Sequence, residues 1–220
     1  VQGSAVVSFC GGSFSGVQGS GVFNMTAGDF RGVQGATVLN IASGDFYGIQ
    51  GSIVNYAGSN FTGLQAGLVN IAKRIDGCQL GLVNVADQLG SGVQLGLVNY
   101  SKDADGIPIG LVSIVRNGET YGNLMTEENG FTRLPLAHGS KKIYNVFSFG
   151  YNRTRHEQSS GIGWGHKFEF GDAFLSAEGI VNTISQSQGD DGTLDLYNEN
   201  QLKLTFGYSF FDHCSIYGGI

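Results

Sequence analysis

Apolar and polar residues repeat in one short phrase through the first half of the chain. A glutamine stands between an aliphatic residue and, in most cases, a small one at intervals of about 14 to 16 residues, and an asparagine follows it five or six positions later. A large apolar residue recurs with the same spacing. The three sets are Gln18, Gln34, Gln50, Gln65, Gln79 and Gln94; Asn24, Asn40, Asn55, Asn70, Asn84 and Asn99; and Phe14, Phe30, Phe46 and Phe61, continued by Ile75 and Leu89.

A fixed period of this kind indicates stacked repeats that bury their faces against their neighbours. About 15 residues is too short for a helical repeat or for two membrane-crossing strands with their turns. The pattern therefore predicts an all-β fold, with a parallel β-solenoid of 14–16-residue coils over residues 1–116. Equivalent side chains then stand above one another, so that the amides form hydrogen-bonded ladders. The alternative is that the repetition reflects duplication alone, with the amides exposed.

Coil length changes along the repeats. The Gln-to-Asn distance is six in the early coils and five in the later ones. Because a one-residue loss reverses the faces of a strand unless a bulge or corner absorbs it, we expect a bulge where the coils shorten. In the last coil Pro108 and Ser113 replace the amides, which is typical of a terminal repeat.

A different pattern starts after a predicted junction at residues 117–141. Residues 142–220 contain longer segments that alternate aromatic residues with glycine or polar ones, such as the run from Ile162 to Phe170. Period two predicts an antiparallel β-meander, and we expect a turn at residues 188–192. The aromatic face must be covered by protein or by lipid, because it exceeds what a soluble monomer exposes.

The same alternation is typical of outer-membrane strands, so part of a barrel is an alternative interpretation of this sheet. The segment supplies five or six strands, fewer than the usual minimum of eight. Either the chain continues after Ile220, which the ending at residues 217–220 favours, or the strands belong to an oligomeric barrel, or the aromatic face packs on a soluble core. The start inside a repeat likewise leads us to expect a processed N-terminus.

Composition narrows the choice of partner and of chemistry. Charged residues make up 14% of the chain and the net charge is −6, which argues against nucleic-acid binding. Cys10, Cys78 and Cys214 have no metal-binding spacing; we expect buried thiols, with one disulfide pair as an alternative.

Candidate chemistry is sparse. The four histidines, His138, His156, His166 and His213, have no ligand-spaced neighbours, so we expect surface or packing roles for them. Asp29 and Asp45 occupy matching corners with Asn60, where a corner cap competes with a calcium site. We expect no catalytic, cofactor or metal site, and a carbohydrate-acting solenoid enzyme is an alternative supported only by fold analogy.

Three later phrases carry a resemblance: residues 67–72, 81–86 and 96–99 each begin Gly-Leu-Val-Asn. They resemble the Gly-Leu-Val-Asn surface repeats of exported spirochaete and Bacteroidetes proteins, over residues 17–115. This resemblance implies a bacterial cell-surface or outer-membrane location and gives no catalytic residues. We therefore expect a non-enzymatic structural or adhesion scaffold with a glycan or protein ligand and outer-membrane contact through residues 142–220. An outer-membrane β-barrel or pore component is the alternative.

Overall fold

A computed structural model describes residues 1–188, 193–211 and 214–219. The described residues form β-strands, turns and bends without helices, and the chain divides into two compact units, Val1–Gly118 and Glu119–Ile220. The predicted all-β fold, a parallel solenoid followed by an antiparallel sheet, is confirmed. The predicted turn at residues 188–192 lies outside the described residues, except for Gln188 at the end of a strand.

The first unit is a parallel β-solenoid of about eight coils. Most coils contribute one strand segment with the glutamine and one with the asparagine, and in the later coils these segments merge into longer strands. The strands are β1 Gln2–Ser4, β2 Val7–Cys10, β3 Phe14–Ser20, β4 Phe23–Thr26, β5 Phe30–Ala36, β6 Leu39–Ala42, β7 Phe46–Gly51, β8 Val54–Ala66, β9 Val69–Ile75, β10 Cys78–Leu80, β11 Val83–Leu89, β12 Val93–Ala104 and β13 Ile107–Val115.

Strand pairing in the solenoid keeps equivalent repeat positions in register. Gln18 pairs with Gln34 and Asn24 with Asn40, and the same correspondence continues along the solenoid to the Gln94–Pro108 and Asn99–Ser113 pairs. All pairings within this unit are parallel, as a coil that returns to the same side requires.

A bulge lies after the asparagine where the coils shorten, whereas the shortening between glutamine and asparagine, from which the bulge was predicted, is absorbed at the corner between β7 and β8. Between β8 and β9 the register runs from Ala57 opposite Ala72 to Asn60 opposite Arg74, so two residues, Gly58 and Ser59, face Lys73 alone. This bulge absorbs the extra residue and keeps Phe61 and Ile75 in one column. The side chains of the later coils therefore still point into the interior at the equivalent repeat positions.

The solenoid interior contains four stacked columns. The glutamine and asparagine columns are fully buried, and beside them lie an alanine column and a column of large apolar side chains. The apolar core consists of Phe30, Phe46, Phe61, Ile75 and Leu89 with Ala42, Ala57, Ala72 and Ala86. The interior is thus half amide and half hydrocarbon.

The second unit is one antiparallel sheet in the order β14-β16-β17-β18-β19-β20-β21, with β15 also paired to β16. Its strands are β14 Glu119–Gly122, β15 Met125–Thr126, β16 Phe131–Gly139, β17 Ile143–Asn152, β18 Glu157–Phe170, β19 Ala173–Gln188, β20 Thr193–Phe211 and β21 Cys214–Gly219.

The sheet begins earlier than predicted. Residues 117–141, predicted as a junction, contain β14, β15 and β16, and β16 pairs with β17 along its whole length. The alternation in β16 is hard to recognise because its buried positions include Arg133 and Pro135 beside Phe131 and Ala137. A charged residue and a proline at inward positions conceal the period of two.

Candidate functional site

The glutamine column forms a continuous ladder of side-chain hydrogen bonds. From Gln34 to Gln94, each Nε2 donates to the Oε1 of the glutamine one coil earlier at 2.8 Å, and Gln18 donates to Gln2 at 3.3 Å. From Gln18 to Gln94, Nε2 also donates to a backbone carbonyl at 3.2–3.4 Å. From Gln18 to Gln79, each buried amide therefore uses both its donor and its acceptor.

The asparagine column forms a second ladder that runs in the opposite direction. Asn24 Nδ2 donates to Asn40 Oδ1 in the following coil at 2.9 Å, and the series continues through Asn40, Asn55, Asn70 and Asn84 at 2.9–3.1 Å. The same Nδ2 atoms donate to the carbonyls of Gly35, Gly51, Ala66, Leu80 and Leu95 at 2.7–2.9 Å. This bond ties the asparagine run to the glutamine run of the following coil.

Both ladders end at the last coil. Asn99 Nδ2 meets the hydroxyl of Ser113 at 3.4 Å, and Gln94 Oε1 has no hydrogen-bond partner among the described residues. Pro108, which is paired with Gln94, has no N–H to donate. The interpretation of this coil as a terminal repeat agrees with this geometry.

The phenylalanine column is a stack of nearly parallel rings. Ring centroids lie 5.6 Å apart for Phe14 and Phe30 and 4.9 Å apart for Phe30–Phe46 and Phe46–Phe61, and the last two pairs have interplanar angles of 9° and 12°. In the later coils Ile75 and Leu89 occupy the same interior position.

The aspartate corners act as caps. Asp29 Oδ1 accepts from the backbone N–H of Asp45 at 3.0 Å, and Asp45 Oδ1 accepts from that of Asn60 at 3.1 Å. Hydrogen bonds from the Ser59 side chain and the Asn60 backbone lower the pKa of Asp45. Across residues 1–188, 193–211 and 214–219, no three His, Cys, Asp or Glu side chains are grouped as a metal site would need.

Two outward columns of the solenoid are apolar, whereas a third, running Ser15, Arg31, Tyr47 and Thr62, is mixed and exposed. The residue before each glutamine forms one outward column, running Val17, Val33, Ile49, Leu64, Cys78, Val93 and Ile107. A corner column runs Val22, Val38, Ile53, Leu68, Leu82, Leu97 and Leu111, each between 41% and 55% exposed. The solenoid therefore buries its amides beside the apolar core and also carries two aliphatic columns on its outside. Sequence reasoning missed these outward columns although the Val-Gln alternation contains that signal.

A charged network lies on the inward face of the second unit. Arg133 is fully buried and forms ion pairs with Glu127 at 2.8 Å and with Glu199, while its guanidinium stacks 4.4 Å from the Phe131 ring. Lys203 lies 3.3 Å from the other oxygen of Glu127. Burial favours the neutral form of Glu127, but Arg133 and Lys203 outweigh it and hold the pKa of this carboxyl below its usual range.

The outward face of this sheet is the aromatic one. Phe149, Trp164, Phe168 and Phe206 are 52%, 42%, 47% and 62% exposed. The described parts of this unit therefore leave the predicted aromatic face uncovered. Outward positions of β16–β20 hold no Asp, Glu, Lys or Arg among the residues whose side chains are described. Inward positions hold Arg133, Glu157, Lys167, Glu169, Glu178, Asp195, Glu199 and Lys203, of which Glu169 and Asp195 are exposed.

The histidines and cysteines have the local surroundings expected of packing residues. His138 Nδ1 lies 2.7 Å from the Thr120 hydroxyl, and the His166 ring packs edge-on to Phe168. Cys10 and Cys78 are free thiols. The prediction that they are buried is wrong, because both are half-buried at the solenoid surface. His213 and the Cys214 side chain lie outside the described residues.

Comparisons with known proteins give no relative. No family model matches the chain, and no curated protein or solved structure is significantly similar to it. Among the described residues, no helix has the length and apolar character needed to cross a membrane.

Proposed function

We propose that this chain is a non-enzymatic repeat scaffold associated with the bacterial outer membrane, and that the second unit is its contact with lipid. The outer-membrane location comes from the resemblance of residues 17–115 to exported Gly-Leu-Val-Asn surface repeats. The single observation that carries the lipid contact is the polarity of the sheet, with the charged side chains on the inward face, Arg133 fully buried among them, and aromatic rings exposed on the outward face.

The apolar band has dimensions that suit a bilayer. Outward residues from Ile162 to Phe170 on β18 face Val181 to Ala173 on β19, and β20 continues the band from Leu202 to Tyr208. Eight residue steps at about 3.4 Å cover roughly 27 Å along a strand. At the usual tilt of roughly 40° this gives about 21 Å, close to the ~25 Å apolar band of outer-membrane strands.

Charge placement supports hydrocarbon rather than water outside this face. A charged side chain facing lipid at mid-bilayer costs about 2–4 kcal/mol, and such residues are missing from the described outward positions. The inward charges are offset by pairing, as in the Arg133–Glu127 pair at 2.8 Å. In this proposal the solenoid, stiffened by two ladders, is the structural or ligand-presenting part, with a glycan or protein as the ligand class.

Trp164, the only tryptophan of the chain, tests the lipid contact. The full chain is reconstituted into phosphatidylcholine bilayers with brominated acyl chains, which quench indole fluorescence on contact. We expect strong quenching and blue-shifted emission. A matched reporter, Trp164→Phe with Tyr47→Trp in the exposed column between Arg31 and Thr62, should resist bromine and respond to aqueous iodide. Quenching of Trp164 by iodide but not by bromolipid would contradict the proposal.

A pore component is a second candidate, favoured by the inward charges of the sheet. Glu199 and Lys203, which are partly exposed on the inward face, would then lie beside the ion path. Single-channel recording of the full chain in a planar bilayer tests this function: discrete conductance steps that change in ion selectivity in Lys203→Glu would support it, and a silent bilayer with verified insertion would exclude it.

A further inference from the structure

One outward column of the solenoid contains glycines that the fold itself does not require. Gly3, Gly19, Gly35 and Gly51 follow the glutamines and pair with one another through successive coils. A Cβ built on the first three meets no atom within 4 Å, and one on Gly51 meets only the Ala66 carbonyl at 4.0 Å. None of the four has the positive φ that favours glycine.

A second column shows what a required glycine looks like in this fold. Gly16, Gly32, Gly48 and Gly63 have φ between 131° and 140°, and a Cβ on the last three would clash with the preceding coil. The open column has neither property. Glycine is a poor strand former, so its repetition there calls for a reason outside the chain.

The open column changes from small to large side chains halfway along the solenoid. Gly3, Gly19, Gly35 and Gly51 continue in register as Ala66, Leu80, Leu95 and Ile109. In the early coils the glycines form the floor of a trough between the exposed columns of Val17, Val33 and Ile49 and of Val22, Val38 and Ile53. In the later coils Leu80, Leu95 and Ile109 are 38–42% exposed and form a ridge on the same line.

We propose that this face binds a second copy of the chain in antiparallel orientation. With eight coils and a twofold axis between the coils of Gly51 and Ala66, the four small positions of one copy meet the four larger ones of the other. Ile109 then faces Gly3, Leu95 faces Gly19, Leu80 faces Gly35 and Ala66 faces Gly51. The ridge of each copy fills the trough of its partner, which makes the face self-complementary as a twofold interface requires.

The size and the charge of the trough-and-ridge face agree with a second copy of the chain as its binding partner. Eight coils at about 4.8 Å give a length of roughly 38 Å, and the six residues from Val17 to Val22 span at most about 20 Å. The face thus covers on the order of 700 Å², close to the roughly 800 Å² per partner of a stable complex. Its three columns hold no charged side chain. A second copy also has the same coil spacing, so packing repeats along the whole face.

A trough-filling variant tests the fit. Sedimentation equilibrium of the full chain in mild detergent micelles should show a dimer. Gly35→Leu should weaken dimerisation at least about tenfold without loss of stability, because the new side chain projects into open space and meets Leu80 of the partner. Leu80→Gly alone should also weaken it, and Gly35→Leu with Leu80→Gly should restore it by exchanging knob and trough. A monomeric wild type, or no restoration by the double variant, would overturn the proposal.

Cysteine cross-linking tests the orientation. In a chain with Cys10→Ser, Cys78→Val and Cys214→Ser, a mixture of Gly35→Cys and Leu80→Cys copies should form disulfide-linked dimers, while each variant alone should form few. Predominant linking of Gly35→Cys to itself would mean a parallel arrangement and contradict the proposed one. Trp164 quenching by bromolipid is measured on the same samples, so failure of the lipid contact and failure of the dimer are distinguishable.

Discussion

Replacement of Asn70 by leucine tests whether the asparagine ladder stabilises the solenoid. The Asn70 side chain is fully buried in the middle of the column. Its Nδ2 donates to the Leu80 carbonyl at 2.8 Å and to Asn84 Oδ1 at 2.9 Å, and its Oδ1 accepts from Asn55 Nδ2 at 2.9 Å. Leucine removes all three bonds at similar side-chain size.

The expected cost follows from which neighbours lose every partner. The Leu80 carbonyl still accepts from the Gly67 N–H at 3.0 Å, and Asn55 Nδ2 still donates to the Ala66 carbonyl at 2.9 Å. Asn84 Oδ1 loses its donor within the ladder. One buried acceptor without a partner costs about 1–3 kcal/mol, so we expect a loss of about 2 kcal/mol in unfolding free energy.

Denaturant unfolding of the full chain measures this loss. Far-UV circular dichroism follows both units, while fluorescence of Trp164 follows only the second one, so the solenoid transition should move and the tryptophan transition should not. Asn70→Asp should cost more, about 3–5 kcal/mol, because an unpaired carboxylate would be buried against acceptors. Thr62→Leu, at an exposed position, is the control and should change stability by no more than about 0.5 kcal/mol. A loss for Asn70→Leu no larger than the control's would refute a stabilising ladder.

Three further predictions probe other parts of the fold. Phe46→Ala should cost about 3–5 kcal/mol in the solenoid transition, because a fully buried ring stacked between two others is lost; a loss below about 1 kcal/mol would contradict this. Gly48→Ala should destabilise the solenoid strongly, since φ is 140° and the Cβ would clash with the preceding coil, whereas Gly35→Ala should be neutral; equal effects would contradict the geometry. The lowered pKa of Glu127 means that its stabilising contribution is complete above its unfolded pKa of about 4.5 and disappears as pH falls through the folded value. Unfolding followed by Trp164 should therefore show acid destabilisation that Glu127→Gln reduces, and an unchanged pH profile in that variant would argue against it.

The solenoid could be predicted from the sequence because its interior is periodic. Each coil must place the same amide side chain at the equivalent position to keep the ladder hydrogen-bonded. The same residue type therefore recurs once per coil along the sequence. Even the bulge at Gly58 and Ser59 follows from a one-residue change in coil length. Register in this unit is set by identity of residues rather than by general hydrophobicity.

Two features could not be predicted in the same way. Arg133 is recognised as an interior residue only when Glu127 and Glu199 are seen beside it, and Glu199 lies 66 positions along the chain. The exposure of Phe149 and Trp164 likewise depends on which face of the sheet turns inward, and period two gives the alternation without giving its direction.

Polar interiors in the two units are stabilised by different means. In the solenoid, duplication supplies the amides from Gln18 to Gln79 with an identical partner in the next coil about 4.8 Å away, so their side-chain oxygens are paired within the column. In the sheet no such repeat exists, and Arg133 needs acidic partners from distant segments. Once the interior holds the polar groups, the outward positions hold the apolar ones, because strands alternate between two faces. This reversal leads us to propose apolar surroundings for both units: lipid at the aromatic band around Trp164, and a second copy at the trough and ridge that meet between Gly51 and Ala66.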